Sequence, residues 1–187
     1  MNPPRAYLYR LPLVGGGIRE GILLRQGARW GDAAPLSGWS RETLEEVKAS
    51  LDRGEDFATA SLRCAREALE EDWGLLRNEV PLNALLDGTA DEILAGALRA
   101  FSQGCRCLKI KTSRVESARL ADFVAEITRE TQNLCQLRLD PNRSWSFEET
   151  LRIAESLREF PVEYFEEPLA DAQRLPELIT HVVCPIA

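Results

Sequence analysis

Two lysines lie two positions apart in the short apolar run 105–111, which has the composition of a β-strand. Successive side chains of a strand point to opposite faces, so Lys109 and Lys111 should project from the same face. Two ammonium groups held side by side repel each other, which lowers the pKa of at least one of them. A lysine with a lowered pKa can act as a general base near neutral pH. The same spacing also fits two solvated lysines at the end of a strand, so the spacing alone leaves both interpretations open.

Carboxylates follow the next two apolar runs at the positions where the predicted strands end. Asp140 closes the run 137–140, and Glu166 and Glu167 come directly after Phe165. Because the carboxyl ends of adjacent parallel strands converge at one rim of a barrel, we expect these side chains to lie close together. Carboxylate oxygens suit Mg²⁺, which binds a few carboxylates and keeps waters or substrate oxygens. The alternative is that Asp140 caps a turn and that both glutamates are solvated.

The elements before residue 80 follow from the hydrophobic periodicity. Apolar residues alternate in the manner of strands over 6–13, 18–25 and 29–34, and three short strands in a row indicate an antiparallel meander. Helical spacing then predicts helices over 41–51, with Ser40 as the N-cap, and over 57–73. We therefore predict an α+β domain, with antiparallel strands plus helices, in residues 1–79.

From residue 80 onward, short apolar strands alternate with amphipathic helices, which is typical of parallel βα units. The predicted strands are 80–86, 105–111, 134–140 and 162–165, with the start of a fifth at 182–187. The predicted helices are 92–101, 116–131, 146–160 and 175–180, the third opened by a capping box at Ser146 and Glu149. Strand starts at this pitch indicate an α/β barrel of the (β/α)₈ type. Residues 80–187 would form about half of it, as four βα units and the beginning of a fifth strand.

Composition narrows the class of protein. The 187 residues carry 23 Lys and Arg against 30 Asp and Glu, a formal net charge of −7, which argues against nucleic-acid binding. No apolar run approaches the length of a membrane span, and the N-terminus does not have the pattern of a signal peptide. Five cysteines without framework spacing indicate a reducing compartment, so we expect a cytoplasmic protein.

Five motifs, in order, resemble those of the o-succinylbenzoate synthases in the enolase superfamily. Residues 30–40, followed by 42–46, are similar to the capping domain of that family. Residues 80–86 resemble its first barrel strand, and 109–111 resemble the Lys-x-Lys of its second strand. Residues 137–145 and 166–169 resemble the ends of its third and fourth strands. The resemblance covers nearly the whole chain.

The resemblance implies roles for the residues at these strand ends. Lys111 would be the base that removes the proton α to a substrate carboxylate, and Lys109 would support it electrostatically. Asp140 and Glu166 would be two of three Mg²⁺ ligands. Three further residues would support the site: Asn142, Arg138 and Glu167.

The same resemblance implies a reaction, a substrate class and a pathway. The enzyme would be a Mg²⁺-dependent carbon–oxygen lyase acting on a small-molecule carboxylate. Removal of the α-proton and syn loss of a β-hydroxyl would give the aromatic product, a step towards menaquinone or phylloquinone. This chain does not contain the family's third metal-binding Asp or the sixth-strand Lys that would face Lys111 across the substrate. We therefore expect the chain alone to bind Mg²⁺ weakly and to catalyse little or no dehydration.

Two alternatives to dehydration stay open. Relatives in the superfamily racemise N-succinylamino acids or epimerise dipeptides with the same opposed lysines. A non-catalytic half-barrel module is the other alternative, because the open edge of the fourth strand would expose pairing groups and allow self-association.

Overall fold

An antiparallel meander opens the computed structural model, which describes residues 3–13, 17–55, 57–70 and 80–187. Strands β1 (Arg5–Pro12), β2 (Ile18–Gln26) and β3 (Arg29–Ala33) pair in the order β1-β2-β3. Helices α1 (Leu44–Asp52) and α2 (Ala60–Glu70) follow. The antiparallel sheet with helices expected before residue 80 is confirmed, although residues 71–73 of the second predicted helix lie outside the described residues.

Helix α1 begins three residues later than the sequence predicted. Its N-cap is Thr43, whose hydroxyl accepts a hydrogen bond from the Glu46 N–H, while the Glu46 carboxylate accepts one from the Thr43 N–H at 2.7 Å. The predicted cap, Ser40, instead accepts a hydrogen bond from the Leu36 N–H at 2.9 Å, within a turn. The reciprocal pair of bonds at Thr43 satisfies two donors of the helix end, so it decides where the helix starts.

The core of the first unit lies between the sheet and its helices. Seven buried side chains from β2, β3, α1 and α2 form it: Ile22, Leu24, Ala33, Val47, Leu62, Ala65 and Leu69. At Gly31 the strand approaches α2 so closely that a Cβ atom would overlap the backbone carbonyl of Ala65. Only glycine permits this approach, which packs β3 directly against the helix backbone.

A parallel four-stranded sheet forms the second unit, in the order β4-β5-β6-β7. Its strands are β4 (Ala84–Leu86), β5 (Cys107–Lys111), β6 (Gln136–Asp140) and β7 (Val162–Phe165). The intervening helices are α3 (Ala90–Ser102), α4 (Leu120–Glu130) and α5 (Phe147–Ser156), and α6 (Leu175–Ile179) follows β7. This confirms the predicted half of a (β/α)₈-type barrel, and Ser146 and Glu149 form the predicted capping box of α5.

The first three strands of this sheet start later than the apolar runs indicated. Among the extra residues, Val80, Leu82 and Leu134 are exposed, so they lengthen the hydrophobic pattern without joining the core, whereas Cys135 is buried in it. After α6, the chain returns to the sheet as a single parallel bridge between Phe165 and Ile186. The Phe165 N–H donates to the Pro185 carbonyl at 3.0 Å, which is the beginning of the predicted fifth strand.

The faces of this sheet differ in character. Leu108, Ile110, Leu137, Leu139 and Phe165 are fully buried and pack in one cluster with residues of α3, α4 and α5. Alternate residues of the same strands therefore point to the other face, which carries the lysines and acids named above. The described residues include no helix long and apolar enough to cross a membrane.

Candidate active site

The lysines of β5 and the acids after β6 and β7 meet in one cluster. The parallel register places Lys111 opposite Asp140. The Lys111 ammonium donates to Asp140 Oδ2 at 2.5 Å and to Asn142 Oδ1 at 2.8 Å. Lys109 Nζ lies 2.5 Å from Glu166 Oε2 and 3.2 Å from Asp140 Oδ2. Five of the seven residues singled out in the sequence are thus brought together at the carboxyl end of the sheet.

Asp140 is the most buried member of the cluster. Its side chain is 4% exposed, against 21% for Lys109 and 32% for Glu166. Burial alone would raise the pKa of this carboxyl. Hydrogen bonds from Lys111, from the Asn142 N–H and from Lys109 outweigh burial and lower the pKa below its ordinary value. Asp140 is therefore held as a carboxylate, the form that binds a cation.

The lowered lysine pKa expected from the sequence is not found at Lys109. Burial acts to lower its pKa, but the hydrogen bonds to Glu166 and Asp140 and the charges of these two carboxylates outweigh burial and raise it. The expectation considered only the repulsion between two ammonium groups. The structure places the Lys109 ammonium beside two carboxylates, and their attraction favours its charged form.

Asn142 fixes the geometry around Lys111 and Asp140. Its backbone has φ of +53°, the left-handed region that an asparagine tolerates better than most residues. In this conformation its N–H donates to Asp140 Oδ1 at 3.0 Å while its side-chain carbonyl accepts from Lys111. One residue therefore holds both the acid and the lysine.

Arg138 and Glu167 lie beside the cluster with partners of their own. Arg138 Nε donates to Glu163 Oε2 at 2.7 Å, and its Nη1 donates to Asn83 Oδ1 at 3.3 Å. Arg138 is in register with Lys109 and two residues before Asp140, so it shares their face one step farther from the rim. Glu167 makes a bidentate ion pair with Arg143, whose Nε and Nη2 each donate to a carboxylate oxygen at 2.8 Å.

Three partners of Arg138 and Glu167 were not singled out from the sequence. They are Glu163 and Asn83, which bind Arg138, and Arg143, which binds Glu167. Arg143 stands inside the run 137–145 that carried the family resemblance. No spacing rule links it to Glu167, because the two residues are 24 positions apart and meet only through the sheet.

The donor set fits a hard divalent cation. Carboxylate oxygens of Asp140 and Glu166 approach one ammonium nitrogen, that of Lys109, to 3.2 and 2.5 Å, so both can reach a single positive centre. Mg²⁺ is commonly bound by one or two carboxylates while it keeps several waters or substrate oxygens. Within the part of the chain that the structure describes, no group of three or more His, Cys, Asp or Glu side chains could hold a metal ion. The two carboxylates are therefore candidate ligands for such a cation.

Residues 92–187 match a protein family described as enolase C-terminal domain-like, and this range is more than half of the chain. The chain belongs to that family. The matched range holds most of the parallel βα units of this chain, and the α+β unit precedes it.

Curated relatives support the same assignment over most of the chain. The o-succinylbenzoate synthase of Thermobifida fusca is 28% identical over 173 residues, 91% of this chain and 50% of that protein. The o-succinylbenzoate synthase of Mycolicibacterium smegmatis is 32% identical over 95% of this chain and 51% of its own length. An L-amino acid-D/L-Glu epimerase of Sulfurimonas denitrificans is 31% identical over 66% of this chain. The chain spans about half the length of the curated relatives it matches.

Solved structures show the fold. A magnesium-bound o-succinylbenzoate synthase from Thermosynechococcus elongatus BP-1 superposes with a TM-score of 0.71 at 23% identity, covering 99% of this chain and 68% of that one. The L-Ala-D/L-Glu epimerase of Bacillus subtilis superposes with a TM-score of 0.74 at 17% identity, covering all of this chain and 67% of that one. At these identities, the likeness establishes the fold alone and says nothing about the reaction.

Proposed function

We propose that the chain carries the proton-abstracting side of an o-succinylbenzoate synthase-type active site. The observation that carries the proposal is the single cluster of Lys109, Lys111, Asp140 and Glu166 at the carboxyl end of the parallel sheet. Similarity to synthases from two organisms over more than nine-tenths of the chain supports this reaction among those of the superfamily. The proposed substrate is a small-molecule carboxylate, and the proposed pathway leads to menaquinone or phylloquinone.

Lys111 is the proposed base for the proton α to the substrate carboxylate. It ends β5 at the rim, and the two acceptors Asp140 and Asn142 fix the position of its Nζ. The ammonium must give up a proton before this nitrogen can act as the base. Lys109 lies one step deeper on the same face, where its positive charge can stabilise negative charge that develops on the substrate. An α-proton beside a carboxylate is very weakly acidic, so the site needs fixed positive charge as well as a base.

Asp140 and Glu166 are the proposed magnesium ligands, with Asn142 as the residue that orients Asp140. The magnesium-bound synthase of the same fold supports this choice of metal. When bound, Mg²⁺ would neutralise the negative charge that builds up on the substrate carboxylate during proton removal. Arg138 and Glu167 are proposed to support these ligands through their neighbours. Residues 1–79 would form the capping region, and residues 80–187 the first part of the barrel. These bounds differ by one residue from those of the two compact units, 1–78 and 79–187.

Racemisation or epimerisation by the same lysines is not favoured. The epimerase relative matches 66% of this chain, whereas the two synthases match 91% and 95% of it. Self-association of a half barrel, and the cytoplasmic location inferred from cysteine usage, stay predictions.

The proposed reaction can be tested with the 187-residue chain and with a fusion in which the C-terminal half of the Thermobifida fusca synthase follows Ala187. We expect the fusion to dehydrate the hydroxy-acid substrate of the synthases in the presence of Mg²⁺, and the chain alone to show little or no turnover. In the fusion, Lys111→Met should lower kcat by at least about 1,000-fold because the base is lost.

Arg158→Met, which removes an exposed cation on the helical side of the sheet, is the matched control and should leave kcat unchanged. A folded fusion that exchanges the α-proton of N-succinylamino acids but does not dehydrate would overturn the proposed reaction. Full activity of the Lys111→Met variant would overturn the role of the lysine.

A further inference from the structure

The rim loops that follow β6 and β7 are joined by an ion pair outside the cluster described above. Arg143 and Glu167 face each other with two parallel hydrogen bonds, Nε to Oε2 and Nη2 to Oε1, both 2.8 Å long. The Arg143 side chain is 28% exposed and that of Glu167 is 38% exposed. Bidentate pairing of a guanidinium with a carboxylate fixes orientation as well as distance.

Backbone hydrogen bonds connect the same two loops. The Arg143 N–H donates to the Glu167 carbonyl at 2.9 Å, and the Trp145 N–H donates to the Pro168 carbonyl at 3.1 Å. Trp145 and Leu169 form an isolated parallel bridge, which continues the β6–β7 pairing beyond the ends of the strands. The ion pair thus lies at the start of a short extension that ties one loop to the other.

The backbone at the ion pair is strained. Asn142 and Arg143 are consecutive residues with φ of +53° and +58°, and Glu167 has φ of +41°. Residues other than glycine rarely adopt this region, and such conformations persist where surrounding contacts hold them. The bonds between Arg143 and Glu167 are contacts of this kind, because they hold both loops at the strained residues themselves.

Each loop carries one of the two carboxylates assigned to magnesium. Arg143 stands three residues after Asp140, and Glu167 directly follows Glu166. We propose that the Arg143–Glu167 ion pair is a positioning clamp that sets the distance between the Asp140 and Glu166 carboxylates. This inference rests on the proposed function, because Asp140 and Glu166 are metal ligands only under that proposal. Arg143 and Glu167 act through the loops and are positioning residues.

The test compares the clamp with a second bidentate ion pair in the same unit. This second pair does not adjoin a proposed metal ligand. Arg174 donates to Glu177 through Nε and Nη2 at 2.9 and 3.0 Å, and the Glu177 side chain is 49% exposed. Glu177→Gln is therefore the matched control for Glu167→Gln. The exchanged pair Arg143→Glu with Glu167→Arg tests rescue, because it restores opposite charges across the same two loops.

Two measurements are made on the 187-residue chain. Electron paramagnetic resonance measures the affinity for Mn²⁺, which prefers the same oxygen ligands as Mg²⁺. Amide hydrogen exchange, followed by NMR in metal-free solution, reports on the Arg143 and Trp145 N–H groups that bridge the loops. A melting temperature for each variant separates local loosening from global unfolding.

We expect Glu167→Gln to weaken Mn²⁺ binding by about 10-fold, as loss of an outer residue that orients ligands does, with little change in the melting temperature. Exchange of the Arg143 and Trp145 amides should become about 10-fold faster. The double variant Arg143→Glu with Glu167→Arg should recover most of the Mn²⁺ affinity and most of the protection of the two amides. Glu177→Gln should change neither the affinity nor the exchange rates.

The clamp is overturned if Glu167→Gln leaves the exchange of both amides unchanged, or if it accelerates exchange without any loss of Mn²⁺ affinity. If the parent chain binds no Mn²⁺, the metal assignment in the proposed function fails. Amide hydrogen exchange without metal is then compared among the parent, Glu167→Gln and the double variant Arg143→Glu with Glu167→Arg. This comparison tests the clamp separately from the metal.

Discussion

Asp140 is the residue on which the polar contacts of the rim converge. Its carboxylate accepts hydrogen bonds from both lysines and from the Asn142 N–H, and it is nearly excluded from solvent. A buried charge of this kind is stable only when paired and hydrogen-bonded. The same pairing keeps the carboxylate charged, which is the form that the proposed metal site requires.

Replacing Asp140 by Asn should separate these two roles. Asp140→Asn removes a charged ligand, so we expect the affinity for Mn²⁺, measured by electron paramagnetic resonance, to fall by at least about 10-fold, or about 1.4 kcal/mol of binding free energy. Asp122→Asn, an exposed position at the start of α4, is the control and should bind Mn²⁺ like the parent. Equal affinities for parent and Asp140→Asn would remove Asp140 from the metal site.

At the scale of elements, local caps and one distant carboxylate determine where helices begin. Thr43, Thr89 and Ser146 each form a capping box with a glutamate three residues later. Helix α2 begins differently. Near its start, the Ser61 N–H and hydroxyl both donate to Glu42, which lies 19 residues earlier, at 2.9 and 2.6 Å. These bonds lower the pKa of the Glu42 carboxyl below its ordinary value.

The contribution of Glu42 to the stability of α2 should therefore depend on pH. A carboxyl whose pKa is lowered by folding contributes stability above its ordinary pKa and loses it as the pH falls through the lowered value. At pH 7, Glu42→Gln should destabilise the region by about 0.5–1 kcal/mol. This is less than the usual contribution of a charge-assisted hydrogen bond, because solvent screens the partly exposed group. Hydrogen exchange of peptides from α2 measures the effect.

The difference between parent and Glu42→Gln should shrink as the pH is lowered from 5 towards the acid limit of folding, since ordinary glutamates titrate at about 4.3. Glu67→Gln, an exposed position on α2, serves as the control. A difference that stays constant with pH would show that the charge of Glu42 does not stabilise the helix.

At the scale of the whole molecule, the chain comprises two units with separate cores. The first unit closes its core where Gly31 meets the backbone of α2, and the second closes its core between the parallel sheet and α3, α4 and α5. All residues of the rim cluster belong to the second unit. Metal binding should therefore be a property of that unit.

Gly31→Ala tests this division. The added Cβ would overlap a backbone carbonyl that cannot rotate away, so we expect the first unit to lose about 1–3 kcal/mol, typical of overpacking. Exchange in peptides of β2, β3 and α2 should accelerate, while Mn²⁺ affinity stays within a factor of about two of the parent, a difference of about 0.4 kcal/mol. Gly96→Ala is the control substitution, because its Cβ would meet two side-chain ends that can move, a methyl of Leu86 and the guanidinium of Arg99. A parallel fall in Mn²⁺ affinity would contradict the division.

The alternation of side chains along a strand is a local property, and the convergence of parallel strand ends is a general one. For these reasons the amino-acid sequence was sufficient to predict the half barrel, the shared face of Lys109 and Lys111, and the position of Asp140 and Glu166 at one rim. Errors arose at element ends, where exposed apolar residues such as Leu82 extended the pattern and the Thr43 capping box displaced the predicted start of α1.

Other properties of the site depend on distances between segments that are far apart in the chain. The raised pKa of Lys109 follows from separations of 2.5 and 3.2 Å to acids on two other strand ends. The pairing of Arg143 with Glu167, and of Arg138 with Glu163, joins residues 24 and 25 positions apart. No local rule specifies such contacts, because the packed sheet alone sets which charges meet and how closely they approach.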